Sequence, residues 1–358
     1  MRATFPYMGN IHITFGGMFR ALGIEPIVPP APNRETITRG VLHSPEQMCI
    51  PFKYTLGNMI RALEMGADTL IYSGGTWSCR FGYYGRLQPD ILNDMGFKFR
   101  TIVLSLNSWT EIFREILRLS NGNLPRMAGR VARAARIAWL KSSTVDQVEL
   151  LSRRHRPLEQ EPGAASRAYR AALQQIDETD SIRGLVALRR KIDESFRAIP
   201  SKPDRKVLRL RIVGESFCLL EPVVNFNVLE RLGNLGAWAD PFLTTHHWLG
   251  FHGFRIGEAA RQRLMKKARR YWRYNTGGED ENAVAYTIQA ADLGYDGVLH
   301  LHPFGCMPGT VVGPTLQQVS RDYGIPMLDI SLDEHTSESG FQTRLEAFVS
   351  VLEKKRKR

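Results

Sequence analysis

The stretches ALEMGADTLIYSGGTWSCR, residues 62–80, and AADLGYDGVLHLHPFGCMP, residues 290–308, are two copies of one pattern. When they are aligned, Gly66 falls on Gly294, Asp68 falls on Asp296, and Cys79 and Cys306 come within one position of each other. Each copy reads as a helix closed by glycine, a short apolar strand and a Gly-containing loop with a cysteine, followed by a further helix and strand. That last strand is FRTIVLSL (99–106) in the first copy and IPMLDISL (325–332) in the second. Repeated strand–helix–strand units imply parallel strands joined by right-handed crossovers. The expected fold is therefore α/β, with two pseudo-repeated Rossmann-like parallel-sheet domains and a helical segment between them.

Outward from the repeat, the first half opens with a strand before Asn10, a helix around 13–22 and a short strand in IEPIV (24–28). The second opens with KVLRLRIVGE (206–215), a helix from about 222 to 233 and a strand near GAWAD (236–240). Between them the chain reads as helices broken by the polar loop HRPLEQEPGAAS (155–166). The expected division is 1–110 with Cys49 and Cys79, a basic helical segment 111–205, and 206–358 with Cys306. The helical segment is either a domain of its own or a set of helices packed on the halves.

A chain of 358 residues with 43% hydrophobic content can bury full cores, which excludes disorder as the general state. MRATFPYMGN at the N-terminus has no long apolar core of a signal peptide, and no apolar run approaches the roughly 20 residues that span a bilayer. A cytoplasmic location, with no membrane partner, is expected. The formal charge of +12 is concentrated, because nearly half of the Lys and Arg lie between residues 111 and 211 and more lie in the terminal KKRKR. MAGRVARAARIAWLKSS (127–143) and RGLVALRRKIDESFRAI (183–199) place apolar residues at helical spacing with basic residues on the other face. Such a face is solvated, or docks an acidic protein or an anionic cofactor such as coenzyme A. No zinc finger or RNP motif accompanies the charge, so nucleic acid is not the expected partner.

Four cysteines, Cys49, Cys79, Cys218 and Cys306, are too sparse for a secreted disulfide scaffold. In open α/β sheets ligands bind outside the carboxyl ends of the strands, and the two repeated cysteines lie at that edge. Pro51 suits the start of a helix, which sets Cys49 beside a helix N-terminus, where the macrodipole and free N–H groups favour a thiolate. Each cysteine can equally be a small buried hydrophobe, and Cys218 in GESFCLLEP is read that way. Taken as ligands, the other three fit a zinc site completed by His300, His302 or His335, or an iron–sulfur cluster with one iron left without a cysteine.

Other marked residues have two readings each. THHWLGFHGFR (245–255) reads as a partly buried histidine loop with His246, His247 and His252, or as a substrate contact. DEHTSES places Asp333, Glu334 and His335 after a strand end, in the cleft or as helix capping. Arg80, in RFGYYGR, would supply a counter-charge beside Cys79 or belong to helix-start packing. YNTGGEDENA (274–283) occupies the repeat position of the Cys49 region without a cysteine, as an anion site or a turn with a cap.

The combination SPEQMCIPFKYTLGNMIRALEMGAD (44–68), GTWSCRFGYYGRLQPDILNDMGF (75–97), HPFGCMPGTV (302–311) and LDEHTSESGFQTRLEAF (332–348) resembles the 2-hydroxyacyl-CoA dehydratases and the acyl-CoA dehydratase activase-related proteins. The likeness is to the stand-alone branch without an ATPase domain, and it covers both α/β halves. It implies a [4Fe-4S] cluster held by Cys49, Cys79 and Cys306 in a cleft between two Rossmann-like domains, with Arg80, His302, Glu334 and His335 as candidate cleft residues. Related proteins hold a double-cubane cluster, which needs more thiolates than one such chain supplies. In the dehydratases a separate ATP-hydrolysing activase injects one low-potential electron, a ketyl radical forms from the acyl-CoA thioester, and an unactivated hydroxyl leaves. No Walker A motif is present in this chain, so an ATPase partner is implied, as is pairing with a second copy or a related subunit. A non-catalytic cluster carrier or scaffold of a redox complex, and a zinc-stabilised nucleic-acid-binding protein, are the competing functions.

Overall fold

The computed structural model describes residues 1–74, 79–104, 109–120, 122–202, 204–254 and 258–357, with the backbone alone for 109–113, 251–254 and 258. The chain forms two compact units, residues 1–143 with 176–186, and residues 144–175 with 187–358. The basic helices are divided between them.

In the first unit the order is β1 (Arg2–Thr4), α1 (Ile11–Leu22), β2 (Glu25–Pro26), α2 (Arg34–His43), α3 (Ile50–Glu64), β3 (Thr69–Ser73), α4 (Tyr84–Asp94) and β4 (Arg100–Leu104). Four further helices follow in the chain: α5 (Trp109–Ser120) in this unit, and α6 (Leu124–His155), α7 (Ala164–Glu178) and α8 (Ile182–Arg197), each divided between the two units. The strands form one parallel sheet in the order β2-β1-β3-β4. Alternation along β3 sends Leu70 and Tyr72 to one face, under Phe52, Leu56 and Met59 of α3, and Ile71 to the other, with Phe5 and Phe19. Both faces are covered, as a parallel sheet requires. Residues 176–186 are tied to this unit by Asp180, which binds Arg20 Nε at 2.5 Å and the buried Lys141 Nζ at 2.8 Å.

The second unit contains β5 (Leu208–Gly214), α9 (Ser216–Leu220), α10 (Val228–Asn234), β6 (Ala237–Pro241), α11 (Thr245–Phe254), α12 (Glu258–Ala268), α13 (Asp280–Asp292), β7 (Gly297–Pro303), α14 (Met307–Tyr323), β8 (Met327–Leu332) and α15 (Glu338–Arg356). Its sheet is also parallel, in the equivalent order β6-β5-β7-β8. The fold class is the expected one. The helix expected over 222–233 starts only at Val228, because Phe226 and Asn227 take left-handed backbone (φ 52° and 55°) and break the run.

The repeat has a physical basis at two points. Gly66 and Gly294 are left-handed (φ 89° and 67°) and end α3 and α13 in the same way, with the next residue's N–H returning to the helix. Asp68 then accepts the Arg2 N–H at 3.0 Å, and Asp296 accepts the Arg209 N–H at 2.7 Å. Each aspartate thus anchors the start of the unit's first strand beside its third, β1 by β3 and β5 by β7.

Helices α2 and α3 touch backbone to backbone. A Cβ at Gly40 would stand 1.7 Å from the Lys53 carbonyl oxygen, and one at Gly57 would stand 2.0 Å from that of Thr36. Gly57→Ala should therefore destabilise the protein by about 1–3 kcal/mol in urea unfolding. Gly129→Ala, in an exposed stretch of α6 with nothing near its Cβ, should instead add about 0.5–1 kcal/mol.

Candidate functional site

Each of the three cysteines singled out by the sequence starts a helix. Cys49 is the residue before α3 (φ −65°, ψ 154°), with Pro51 at the second helical position. Cys79 precedes the short 3-10 turn Arg80–Tyr83 that leads into α4 (φ −71°, ψ 144°). Cys306 precedes α14 (φ −70°, ψ 117°), after Gly305 makes the turn in left-handed backbone (φ 67°). Cys49 and Cys306 are buried and Cys79 is half-buried. The N–H groups of a first helical turn have no intrahelical acceptors, so each site favours a negatively charged sulfur.

In the first unit, two contacts bind the Cys79 segment to the Cys49 loop. Arg80 Nη1 donates to the Gln47 carbonyl at 2.6 Å, and the Tyr84 hydroxyl is hydrogen-bonded to Cys49 Sγ at 2.9 Å. Tyr84 is itself fixed edge-on against Phe52 of α3. Arg80 is therefore engaged with backbone, while Tyr84, which the sequence reading did not single out within RFGYYGR, touches a candidate sulfur.

In the second unit, His300 and His302 lie two residues apart on β7 and share one face, and Asp329 on β8 is the register partner of His300. His300 Nδ1 stands 2.9 Å and His302 Nε2 3.2 Å from Asp329 Oδ1, and the two imidazoles stack at 4.8 Å. His302 Nδ1 also lies 3.1 Å from the Pro303 carbonyl oxygen. Burial lowers the His300 pKa in spite of the neighbouring carboxylate. Burial alone would raise that of Asp329, but the two neighbouring imidazoles outweigh it and hold the carboxyl well below its usual range. Helix α14 covers this face with glycine: a Cβ on Gly309 would come 2.6 Å from that of His302.

The family model for the 2-hydroxyglutaryl-CoA dehydratase D-component matches residues 158–352, more than half of the chain. The chain belongs to this family. No curated protein is similar enough to match. The D-component match spans Cys306, His300, His302 and Asp329; Cys49 and Cys79 lie outside it. Among the described residues no helix is long and apolar enough to cross a membrane.

Several sequence expectations for this chain resolve into capping. The stretch read as a histidine loop is the helix α11, because Asp146 of α6 accepts the Thr244 hydroxyl and the His246 N–H and so caps its start. His247 Nδ1 lies 3.1 Å from the Phe242 carbonyl oxygen, and the His252 side chain is outside the described residues. Asp333 accepts from the His335 N–H and the Thr336 hydroxyl, and Ser337 caps α15. His335 is exposed and Glu334 half-buried. Cys218 is fully buried, as expected. Asp329 had one signal in the sequence, an acid inside the apolar strand IPMLDISL.

At the carboxyl end of β5, Glu215 caps α9 by accepting the Cys218 N–H at 3.0 Å. Close by, Glu279, which starts α13, accepts from Ser216 Oγ at 2.7 Å. Glu279 holds the helix-start position that Cys49 holds in the first unit. Desolvation, with the Glu279 charge adding to it, raises the Glu215 pKa although two backbone N–H groups oppose the shift. A raised folded-state pKa favours the fold below the unfolded value of about 4.3 and loses that contribution as pH rises through the folded value. Glu215→Gln, measured by urea unfolding across a pH series, should therefore gain stability relative to wild type as pH rises toward neutrality.

Proposed function

We propose that this chain is an iron–sulfur component of 2-hydroxyacyl-CoA dehydratase-type chemistry, with Cys49, Cys79 and Cys306 as the ligands of a [4Fe-4S] cluster. The observation that carries the reading is the shared placement of the three sulfurs. Each starts a helix, and two of them lie in the equivalent loops after β3 and β7. Family membership supports a dehydratase-like component. The donor set fits the group, since cubane clusters are held by thiolates and these positions favour thiolates.

When bound, such a cluster supplies a low-potential electron and an iron open to an oxygen ligand, which acts as a Lewis acid. The protein's own part is electrostatic and positional. The first-turn N–H groups of α3 and α14 face the sulfur end of their helices and stabilise its negative charge. With Cys49 as a thiolate ligand, the Tyr84 hydroxyl would donate to Sγ and fix its direction, while Arg80 holds the Cys79 segment to the Gln47 carbonyl. The electron donor in this reading is a separate ATP-hydrolysing activase, the substrate is an acyl-CoA thioester, and the basic helices offer a docking face. A non-catalytic carrier role would keep the cluster and the partner but turn over no thioester.

Anaerobic reconstitution with iron and sulfide tests the ligand set. Cys49→Ala, Cys79→Ala and Cys306→Ala should each lose the sulfur-to-iron charge-transfer absorption, whereas Cys218→Ala should keep it. Tyr84→Phe should retain the cluster and shift its reduction potential downward, because one hydrogen bond to a ligand sulfur is gone. Equal retention in all four cysteine variants would remove the reading.

A further inference from the structure

Asp329 Oδ1 is the meeting point of two imidazoles, with His300 Nδ1 at 2.9 Å and His302 Nε2 at 3.2 Å. His302 decides what lies there. Its other nitrogen, Nδ1, lies 3.1 Å from the Pro303 carbonyl oxygen, and a carbonyl only accepts, so this contact is a hydrogen bond in the tautomer with the proton on Nδ1. In that tautomer Nε2 turns its bare lone pair toward a carboxylate oxygen. Two such atoms repel at 3.2 Å unless a cation lies between them. That cation is either a second proton on a buried ring or a metal ion.

The surroundings favour the metal. A ligating histidine almost always donates its other ring N–H to a carbonyl or carboxylate, as His302 does to Pro303 in that tautomer. The three ligand atoms lie within 4.8 Å of one another, and two of their separations approach the roughly 3.3 Å expected for atoms bound tetrahedrally to one small ion at about 2.0–2.1 Å. His300, at 1% exposure, is shielded from bulk water, as a metal site's ligands usually are. Space is kept by glycine, since a Cβ at Gly309 would strike His302 and one at Gly313 would stand 3.6 Å from Asp329 Oδ2.

We propose that His300, His302 and Asp329 form a mononuclear site for a divalent transition metal of the zinc class. It is separate from the cysteine set and lies wholly in the second unit. Two imidazoles and one carboxylate suit Zn²⁺ or Co²⁺ better than the oxygen-seeking Mg²⁺ or Ca²⁺. None of the ligands is a cysteine, so the site stands whether or not the chain holds an iron–sulfur cluster.

The test uses the full chain, stripped with chelator and titrated with Co²⁺ under reducing conditions, beside a triple variant with Cys49, Cys79 and Cys306 each changed to Ala. The triple variant should bind about one Co²⁺, with weak visible bands and no sulfur-to-cobalt charge transfer, and the full chain should bind at least as much. His302→Ala and Asp329→Asn, placed in the triple-variant background, should bind at least about tenfold more weakly with far-ultraviolet circular dichroism unchanged. Should either fail to fold, the spectrum of the triple variant still decides. No Co²⁺ bound by the triple variant, or undiminished binding in the folded histidine and aspartate variants, would overturn the site. So would nitrogen NMR showing both ring nitrogens of His302 protonated in the metal-treated chain.

Discussion

Parallel strand pairing fixes where chemistry can sit in each unit. Every connection out of a parallel strand leaves from the carboxyl edge, and where the winding reverses, neighbouring loops part and leave a crevice. In the first sheet the reversal lies between β1 and β3, in the second between β5 and β7. Asp68 and Asp296 clamp these same strand pairs at their amino ends through the Arg2 and Arg209 N–H groups. At the opposite ends the loops after β3 and β7 carry Cys79 and Cys306. Cys49 reaches the carboxyl edge as the residue just before the helix that runs back before β3.

The second unit adds a different chemistry beneath the same loops. A central parallel strand is ordinarily an unbroken apolar run, yet β7 carries His300 and His302 fully inside the sheet, and β8 sets Asp329 opposite. Burying three ionisable groups costs folding free energy unless they satisfy one another. Here they converge on one carboxylate oxygen, and α14 gives up a side chain at Gly309 to make room. Glu215 and Glu279 stand at the end of the neighbouring strand and at the start of α13. The carboxyl edge of this unit is therefore lined by protonatable groups, where that of the first unit is lined by Cys49, Tyr84 and the Cys79 segment.

Much of this was legible in the chain itself. Local signals carry the repeat: a left-handed glycine after each helix, an apolar strand, and a cysteine before the next helix start. They gave the two parallel sheets. What escaped the sequence depends on residues far apart in it. Asp146 caps α11 from about a hundred residues away, so a run rich in His and Gly read as a loop is a helix. Tyr84 meets Cys49, and Asp329 meets His300, only through packing and strand register. The break before Val228 arises from two successive left-handed residues, Phe226 and Asn227, neither of them glycine, which no periodicity announces.

The central claim is that three cysteines hold one cubane with one iron lacking a thiolate. Mössbauer spectroscopy of the chain reconstituted anaerobically with ⁵⁷Fe tests it most directly. The account predicts about four irons per chain in a single cluster, one of them distinct from the other three and altered by an added oxygen ligand. Four equivalent irons, a two-iron spectrum, or no bound iron would contradict it.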